Sequence, residues 1–427
     1  MERIPNLPEK TGKRVVIVGA GFAGLKLAQS LSQKYFQVIL IDKNNYHQFQ
    51  PLFYQVATSG LEPSSISFPI RRVFSKISHV HFRVAEVQKV DYKSKVLETA
   101  QGAVDYDYLV LSAGATTNFF GNKNLEKYAI PMKSLSEALF LRNRILDNYE
   151  KALNTGSTDE QEALMNIVIA GGGPTGVELA GAIAEMRAFV LPKDYPTLDF
   201  SKMQITLLEG SPRLLNGMSE FAGKNALKYL EDLNVNVALN TLVEDFDGHS
   251  VIIKEAENVL SKTLIWAAGI KANSIEGFEK EAFSRGGRIR VNSYSQTTFS
   301  EKVFALGDQA IMEIESNPNG DPQVAQVAIQ QAENLAKNLI RIQEGKALRP
   351  FAYNDKGSMA TIGRNLAVCD LPFGKLKGYP AWVLWLFVHL MAILGTKNKL
   401  FVFMNWVWNY VTYNQSLRLL IKPKVDS

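Results

Sequence analysis

The sequence predicts an α/β fold with two parallel-sheet modules, the second inserted in the first, and a helical segment at the C-terminal end. Three observations predict it. The string strand, Gly-rich turn, helix, strand, acid occurs twice, at Arg14–Asp42 and at Asn166–Glu209. Each occurrence is followed by β-rich stretches and then by an apolar strand that ends in Ala-Gly, Tyr108–Gly114 and Thr263–Gly269. Beyond about residue 375 the chain changes character and becomes apolar, aromatic and flanked by lysines. Repeated strand–helix alternation of this kind defines the α/β class.

Along the first module, Val15–Val18 is a continuous apolar run, as a buried parallel strand requires. It enters Gly19-Ala-Gly21-Phe-Ala-Gly24, and a helix follows with Leu25, Leu27, Ala28 and Leu31 for burial. Val38–Ile41 is the next strand and ends in Asp42. His81–Val90, Lys95–Glu98, Val235–Leu239 and Val251–Ile253 read as β pieces from their β-branched residues.

The second module repeats the plan with Ile167–Ala170, Gly171-Gly-Gly173-Pro-Thr-Gly176, a helix of small residues, and Ile205–Leu208 ending in Glu209. Between its helix and strand lies a polar, Pro-containing insertion, Arg187–Met203, read as a loop or a helix tail. A third strand, Lys302–Asp308, comes after the second module, then a helix carrying Gln326, Gln330 and Gln331. The order therefore places one domain at residues 1–123 and 292–365, a second at 124–291, and the helical segment at 366–427.

Composition narrows the function classes. With 427 residues and 46% hydrophobic content, two or three well-buried cores are expected. The single cysteine, Cys369, excludes an internal disulfide and a Cys-x-x-Cys relay, and reads as a small buried hydrophobe. No metal site is expected. A net charge of +5 does not argue for nucleic acid. Its placement is uneven: from 375 to 427 there are seven Lys or Arg and one Asp, so +6, which leaves −1 for the rest. Residues 1–14 are polar and lack the apolar stretch of a secretory signal.

The two glycine turns carry the chemistry. In GxGxxG between strand and helix, the first glycine permits the tight turn. The second lets a pyrophosphate approach, and the third lets helix and strand pack closely. The helix N-terminus then offers free N–H groups and the positive end of its dipole to the phosphates. Asp42, 21 residues after Gly21, is placed to accept from a ribose, and Glu209, 38 residues after Gly171, does the same in the second module. A carboxylate there favours a free 2′-hydroxyl over a 2′-phosphate, hence NADH over NADPH. Two dinucleotide sites in one chain point to hydride relay, one for FAD and one for NADH, in which the cofactors own the chemistry.

Other residues stand out by position. Asp308 closes the third strand, where it can hold a polyol chain or cap the following helix. Glu178 lies in the first turn of the second module's helix. It is there either as a charge–dipole partner or as a carboxylate that handles protons at the reacting junction. Gln326 and Gln330 sit one turn apart on a small, apolar helix, either solvated or donating to carbonyl oxygens of a ring. Tyr379–Leu394 is an apolar run interrupted by His389, roughly 24 Å long as a helix, against a hydrocarbon core of roughly 30 Å. In the stretch Leu400–Tyr413, Asn405, Asn409 and Thr412 share one helix face while Phe401, Phe403, Trp406 and Trp408 take the others. With Lys375, Lys377, Lys397 and Lys399 alongside, the tail reads as helices lying in a membrane surface, before an oligomer contact or a spanning hairpin.

At this point the residues resemble a known family, the type II NADH:quinone oxidoreductases. The resemblance runs from Val15 to about Asn414 and is carried by His47-QFQPLFYQVATSG, Gly171-GGPTGVELAG, Val303-FALGD, Ala325-QVAIQ and Lys356-Gly357. It implies two Rossmann-type domains, non-covalent FAD, a homodimer, and no proton pumping. It also implies peripheral attachment to the cytoplasmic face of a bacterial inner membrane through the C-terminal helices. Carried over residue by residue, Glu178 is the active-site acid, and Gln326, Gln330 and Lys356 line the quinone region. The expected FAD contacts are Gly19, Gly21, Phe22, Ala23, Gly24, Asp42, Lys43, Val87, Ala113, Gly114, Gly307, Asp308, Ala325, Gln326 and Lys356. The expected NADH contacts are Gly171, Gly173, Pro174, Thr175, Gly176, Glu178, Glu209, Ala268 and Gly269. The quinone, menaquinone or ubiquinone, is the acceptor so implied. The alternative is a soluble NAD(P)H-dependent flavoprotein reductase of a protein acceptor such as ferredoxin, which leaves the Trp-rich, lysine-flanked tail without a role.

Overall fold

The computed structural model describes residues 2–315, 317–413 and 417–420, which form two compact units. The first comprises Met1–His47, Phe68–Thr116 and Ile270–Asp355. Its core is a parallel sheet in the order Val80–Val84, Phe36–Asp42, Lys13–Val18, Tyr108–Leu111, Ser300–Ala305, with the short strand Gln296–Thr297 antiparallel at one edge. The glycine-loop strand Lys13–Val18 therefore has neighbours on both sides. Val15 to Val18 are buried because both faces of the sheet are covered, which is why the run has no polar alternation. Chain direction around the sheet reverses at this strand, the place where open α/β sheets bind ligands at their carboxyl ends. Helix Phe22–Ser30 follows the loop, and Lys26 pairs with Glu333 of helix Ala325–Gln343 at 2.8 Å. The expected β piece His81–Val90 is two strands, Val80–Val84 and Val87–Asp91, and the second joins an antiparallel meander with Val96–Thr99 and Gly102–Asp105.

The second unit comprises Gln48–Ser67, Thr117–Gly269 and Lys356–Ser427. Its parallel sheet runs Ile130–Pro131, Thr263–Trp266, Ile167–Ala170, Ile205–Glu209, Asn236–Leu239. The plan is that of the first unit: the glycine-loop strand lies between the strand that ends in the acid and the strand that ends in Ala-Gly. Helix Pro174–Glu185 continues into a π-turn at Met186–Val190 and a short helix Leu191–Asp194, so the insertion begins as a helix tail. An antiparallel meander, Ser358–Gly363, Leu366–Leu371 and Gly374–Lys377, follows late in the chain. Cys369 is buried in it with Ala367 and Ala381, the packing role expected of it.

Helices Tyr379–Ala392 and Thr396–Thr412 account for the tail. Among the described residues no helix is long and apolar enough to cross a membrane. The expected segment 366–427 also includes 414–416 and 421–427, which lie outside the described residues.

The limits of the compact units differ from those expected at 123, 291 and 365. The chain re-enters the first unit at Ile270. There the buried Gln309 amide ties two strands' ends together: its Oε1 accepts from Ala113 N at 2.8 Å and its Nε2 donates to Asn273 O at 2.9 Å. The segment Gln48–Ser67, which the sequence leaves in the first domain, belongs to the second unit.

Candidate functional site

The two glycine loops have the same geometry. Gly19 and Gly171 have φ of +93° and +107°, a left-handed conformation that glycine adopts without cost. A Cβ on Gly24 would lie 1.8 Å from Gly19 O, and one on Gly176 would lie 1.8 Å from Gly171 O. The middle glycines behave oppositely: a Cβ on Gly21 or Gly173 meets nothing within 4 Å. First and third glycines are thus fixed by packing, while the second leaves the backbone open to an approaching group.

The helix starts agree. The helices after the two loops have no side-chain cap and no acid in the first turn. Helix Leu135–Leu153, by contrast, has a full capping box of Ser134 and Glu137. The N–H groups left uncapped at the loops suit a pyrophosphate.

The acids are tied to their loops in matching ways. Asp42 accepts from Ala20 N and from Asn44 N, both at 2.7 Å. Glu209 accepts from Gly172 N at 2.5 Å and from Ser211 N at 2.7 Å. Each carboxylate keeps lone pairs for a ribose hydroxyl. Burial pushes the Asp42 pKa up, partly offset by those backbone bonds. His47, which the sequence reading passed over, is buried with Nδ1 3.0 Å from Ala20 O and packs edge-on against Phe22. Burial lowers its pKa, so the ring stays neutral.

The remaining expected residues have distinct surroundings. Lys43 is exposed and Val87 opens its strand. Gly114 O accepts from Asn273 N at 3.0 Å. Gly307 N donates to the buried Gln331 Oε1 at 2.8 Å. Asp308 lies in a short turn before Ala310, and the long helix starts only at Ala325 with Val324 at its cap, so Asp308 does not cap it. Ala325 and Gln326 occupy that helix's first turn. Gln330 is pinned: its amide donates to Asn354 O at 2.9 Å and accepts from Asn354 N at 3.0 Å. Lys356 is exposed. Pro174 and Thr175 are exposed at the second helix's start, as are Ala268 in part and Gly269 at the strand end.

Glu178 lies one turn into helix Pro174–Glu185, beyond the first turn in which the sequence placed it, because the helix starts at Pro174, and it is 9% exposed. It lines a cavity of about 150 Å³ in the second unit, together with Tyr54, Glu185, Arg364, Trp385 and Trp406 among others. An apolar cavity of that size admits a benzene ring. Burial pushes the Glu178 pKa up to about 8, against smaller opposing effects of Thr361 N and the Trp385 indole. Thr361 N donates at 3.4 Å. The Trp385 Nε1–H lies near enough to favour the charged form but makes no hydrogen bond of standard geometry. Of the expected site residues among those described, Glu178 alone is in this lining. Tyr54, Glu185, Arg364 and Trp385 were missed. Two signals were available: Tyr54 lies in the His47-QFQPLFYQVATSG stretch, and Glu185 follows Glu178 by seven residues and so shares its helix face.

The tail helices turn their faces in a way the sequence did not indicate. Asn409 Nδ2 donates to Gly60 O at 3.1 Å, and Trp406 Nε1 donates to Gln55 Oε1 at 2.7 Å. Asn409 of the polar stripe is thus docked on the protein, together with Trp406 from an adjoining face. Phe387, Met391, Met404, Val407 and Trp408 are left exposed.

Two glycine-loop sheets of this kind are the architecture of the pyridine nucleotide-disulphide oxidoreductase family, whose model matches residues 13–332. An NDH2 C-terminal domain matches residues 356–412. The chain is 33% identical over 414 residues to a type II NADH:quinone oxidoreductase of Mycobacterium tuberculosis, covering 93% of this chain and 88% of that protein. It is 31% identical to one from Haemophilus influenzae, covering 85% and 88%. In fold it resembles NDH2 of Plasmodium falciparum, with a TM-score of 0.88 at 23% identity over 96% of this chain and all of that one. The sulfide:quinone oxidoreductase of Aquifex aeolicus is also similar in fold, with a TM-score of 0.72 at 17% identity over 94% of this chain and 96% of that one. The chain belongs to the type II NADH:quinone oxidoreductases, FAD-dependent enzymes that oxidise NADH with a quinone and pump no protons.

Proposed function

We propose that the Gly19 loop holds FAD, the Gly171 loop holds NADH, and the Glu178 cavity receives the quinone ring. The observation that carries this reading is a single helix. Pro174–Glu185 starts at the open face of the second glycine loop and bears Glu178 in the aromatic cavity one turn later. FAD held there would supply the two-electron redox chemistry between NADH and the quinone. The protein's share is to bind, orient and protonate. Uncapped N–H groups of helix Phe22–Ser30 face the FAD pyrophosphate, and Asp42 accepts from its ribose. Lys43, Val87, Ala113, Gly114, Gly307, Asp308, Ala325, Gln326 and Lys356 complete that site on family likeness. In the NADH site, Gly171, Gly173, Pro174, Thr175 and Gly176 face the phosphates, Glu209 accepts from the ribose, and Ala268 and Gly269 close the strand end. Gln326, Gln330 and Lys356 do not line the Glu178 cavity and are assigned to the quinone region on family likeness alone. Glu178 is the acid.

Glu209 also governs nucleotide choice. Arg213, the nearby cation in sequence, is held by Asn216 through its Nε at 3.0 Å and a terminal nitrogen at 2.9 Å. These bonds to Asn216 orient the Arg213 guanidinium without neutralising it, so the Glu209 repulsion of a 2′-phosphate is offset in part by the Arg213 charge. Anaerobic stopped-flow absorbance of the FAD-loaded enzyme tests the whole reading. Reduction should be at least roughly tenfold faster with NADH than with equal NADPH, a difference of about 1.4 kcal/mol. A short-chain quinone should then restore the oxidised spectrum. Reduction without recovery would assign the cavity another occupant.

The outward apolar side of the tail helices is proposed to lie in a lipid surface, with Lys375, Lys377, Lys397 and Lys399 beside anionic headgroups. A homodimer at the cytoplasmic face of a bacterial inner membrane completes the proposal on family likeness. Phe387 is 62% exposed and Trp408 56%, so a charge at either leaves the core intact. Phe387→Glu and Trp408→Glu should each weaken co-sedimentation with phosphatidylglycerol vesicles by roughly tenfold or more, with unchanged Tm. Wild-type binding by both variants would place the contact elsewhere.

A further inference from the structure

NADH delivers a hydride, whereas a quinol carries two hydrogens, so the balanced reaction is NADH + H⁺ + quinone → NAD⁺ + quinol. One proton per turnover must come from water. The buried Glu178 can give up a proton, but it then has to be reloaded from outside.

The cavity holds a second carboxylate. Glu185 follows Glu178 by seven residues on the same helix, about 10 Å further along its axis. It is half-buried, whereas Glu178 is buried. Both line the cavity, and so does Tyr54. Both carboxylates act electrostatically on the Tyr54 hydroxyl, which is itself buried and accepts from Gln55 Nε2 at 2.7 Å. Resting on the quinone reading of this cavity, we propose that Glu185 is the proton-loading carboxylate of the site and passes protons to Glu178 by way of the Tyr54 hydroxyl.

The surroundings of Glu185 fit that task. Its Oε1 accepts from Arg364 N, the residue after strand Ser358–Gly363. The Arg364 guanidinium is held over the rings of Tyr410 and Tyr413 at 4.0 and 3.9 Å, and one of its nitrogens, Nη1, is buried without a partner. The titratable and charged groups facing Glu185 are thus Glu178 on its own helix, Tyr54, Arg364, and the tail helix's Tyr410 and Tyr413. Burial raises the Glu185 pKa, against the Arg364 N–H and charge, so the group holds a proton above the usual carboxylate range. The π-turn that begins at Met186, with Leu191 N bonded to Met186 O, sets Phe189 and Val190 in the cavity lining just beyond it. A deprotonated Glu185 can be reprotonated from water. The proton moves to the Tyr54 oxygen as the hydroxyl proton leaves for Glu178, so no net charge is left on the phenol.

The test uses the FAD-loaded full chain in detergent. Reduction by NADH and anaerobic reoxidation by a short-chain quinone are followed separately across pH. Glu185→Gln keeps an acceptor for Arg364 N but cannot carry a proton. It is expected to slow reoxidation roughly tenfold or more at pH above 7 and to leave reduction by NADH unchanged. Imidazole as a small proton donor should restore the rate, and Glu185→Asp should restore it in part. Tyr54→Phe should show the same slow phase with a larger solvent isotope effect than the wild type. An infrared pH titration of the oxidised protein should lose one protonated-carboxyl band in Glu185→Gln. Glu185→Gln reoxidised at the wild-type rate at every pH overturns the relay alone. So does a slowing that is equal at every pH and unrelieved by small acids. A wild-type enzyme whose reduced form is not reoxidised by quinone overturns the cavity reading and the relay with it.

Discussion

Replacing Glu178 by Gln is expected to slow reoxidation of the reduced enzyme by quinone roughly a hundredfold, with reduction by NADH within about twofold of wild type. With a pKa pushed up to about 8 by burial, Glu178 at pH 7 is mostly protonated, by about ten to one, and so is an acid rather than a charge. Its wild-type rate should therefore fall as pH rises through about 8, and the Gln variant should lack that limb. The same shift makes a stability statement. The folded-state pKa lies above the ordinary glutamate value of 4.5, so the native state binds more protons than the unfolded one between those values. The associated stability is fully present below about pH 4.5 and is lost as pH rises through about 8, by several kcal/mol at most. Glu185 and Asp42 are also raised by burial and slope the same way. Thermal unfolding of wild type should hence fall in Tm across this window, and Glu178→Gln should fall less. Reduction by NADH slowed as much as reoxidation would move Glu178 to the glycine loop, as a partner of the helix dipole.

Much of this was legible in the sequence because it is contiguous. Strand, glycine turn, helix and acid lie within 29 residues in the first module and 44 in the second, and burial on both faces of a parallel sheet leaves an unbroken apolar run such as Val15–Val18. The internal repeat marked Tyr108–Leu111 and Thr263–Trp266 as a matched pair of strands, and the fold places each beside its loop strand. The cavity was not legible, because Tyr54, Glu178, Arg364 and Trp385 come from four separate stretches. Periodicity also fixes which residues share a face without fixing where the face points. The Asn405, Asn409 and Thr412 stripe was recognised, but only the fold shows Asn409 turned onto Gly60 and Trp408 turned out. Gln330 illustrates a further limit. An amide on a small, apolar helix is equally suited to a ring carbonyl and to the backbone, and here both of its groups go to Asn354.

Gly181→Ala is expected to destabilise the second unit by on the order of 3 kcal/mol or more, read as a fall in Tm and in urea midpoint. The cause is one close approach. A Cβ on Gly181 would lie 1.4 Å from Ile362 O and 2.6 Å from Ile362 C, both main-chain atoms of strand Ser358–Gly363. No side chain can swing away, so the strand must retreat by well over an ångström. Gly181 lies between Glu178 and Glu185 on the helix, and the neighbouring strand residues supply both carboxylates with N–H donors, Thr361 to Glu178 and Arg364 to Glu185. A retreat therefore removes the two contacts together, and reoxidation by quinone should suffer along with stability. Gly173→Ala is the control. Its φ is −72°, and its Cβ would meet nothing within 4 Å. That variant should unfold like wild type and lose NADH affinity instead, because the added methyl occupies the open side of the loop. If Gly181→Ala melts with wild type and keeps its quinone rate, helix and strand can separate freely, and the tight seating of the two carboxylates is not what shapes the cavity.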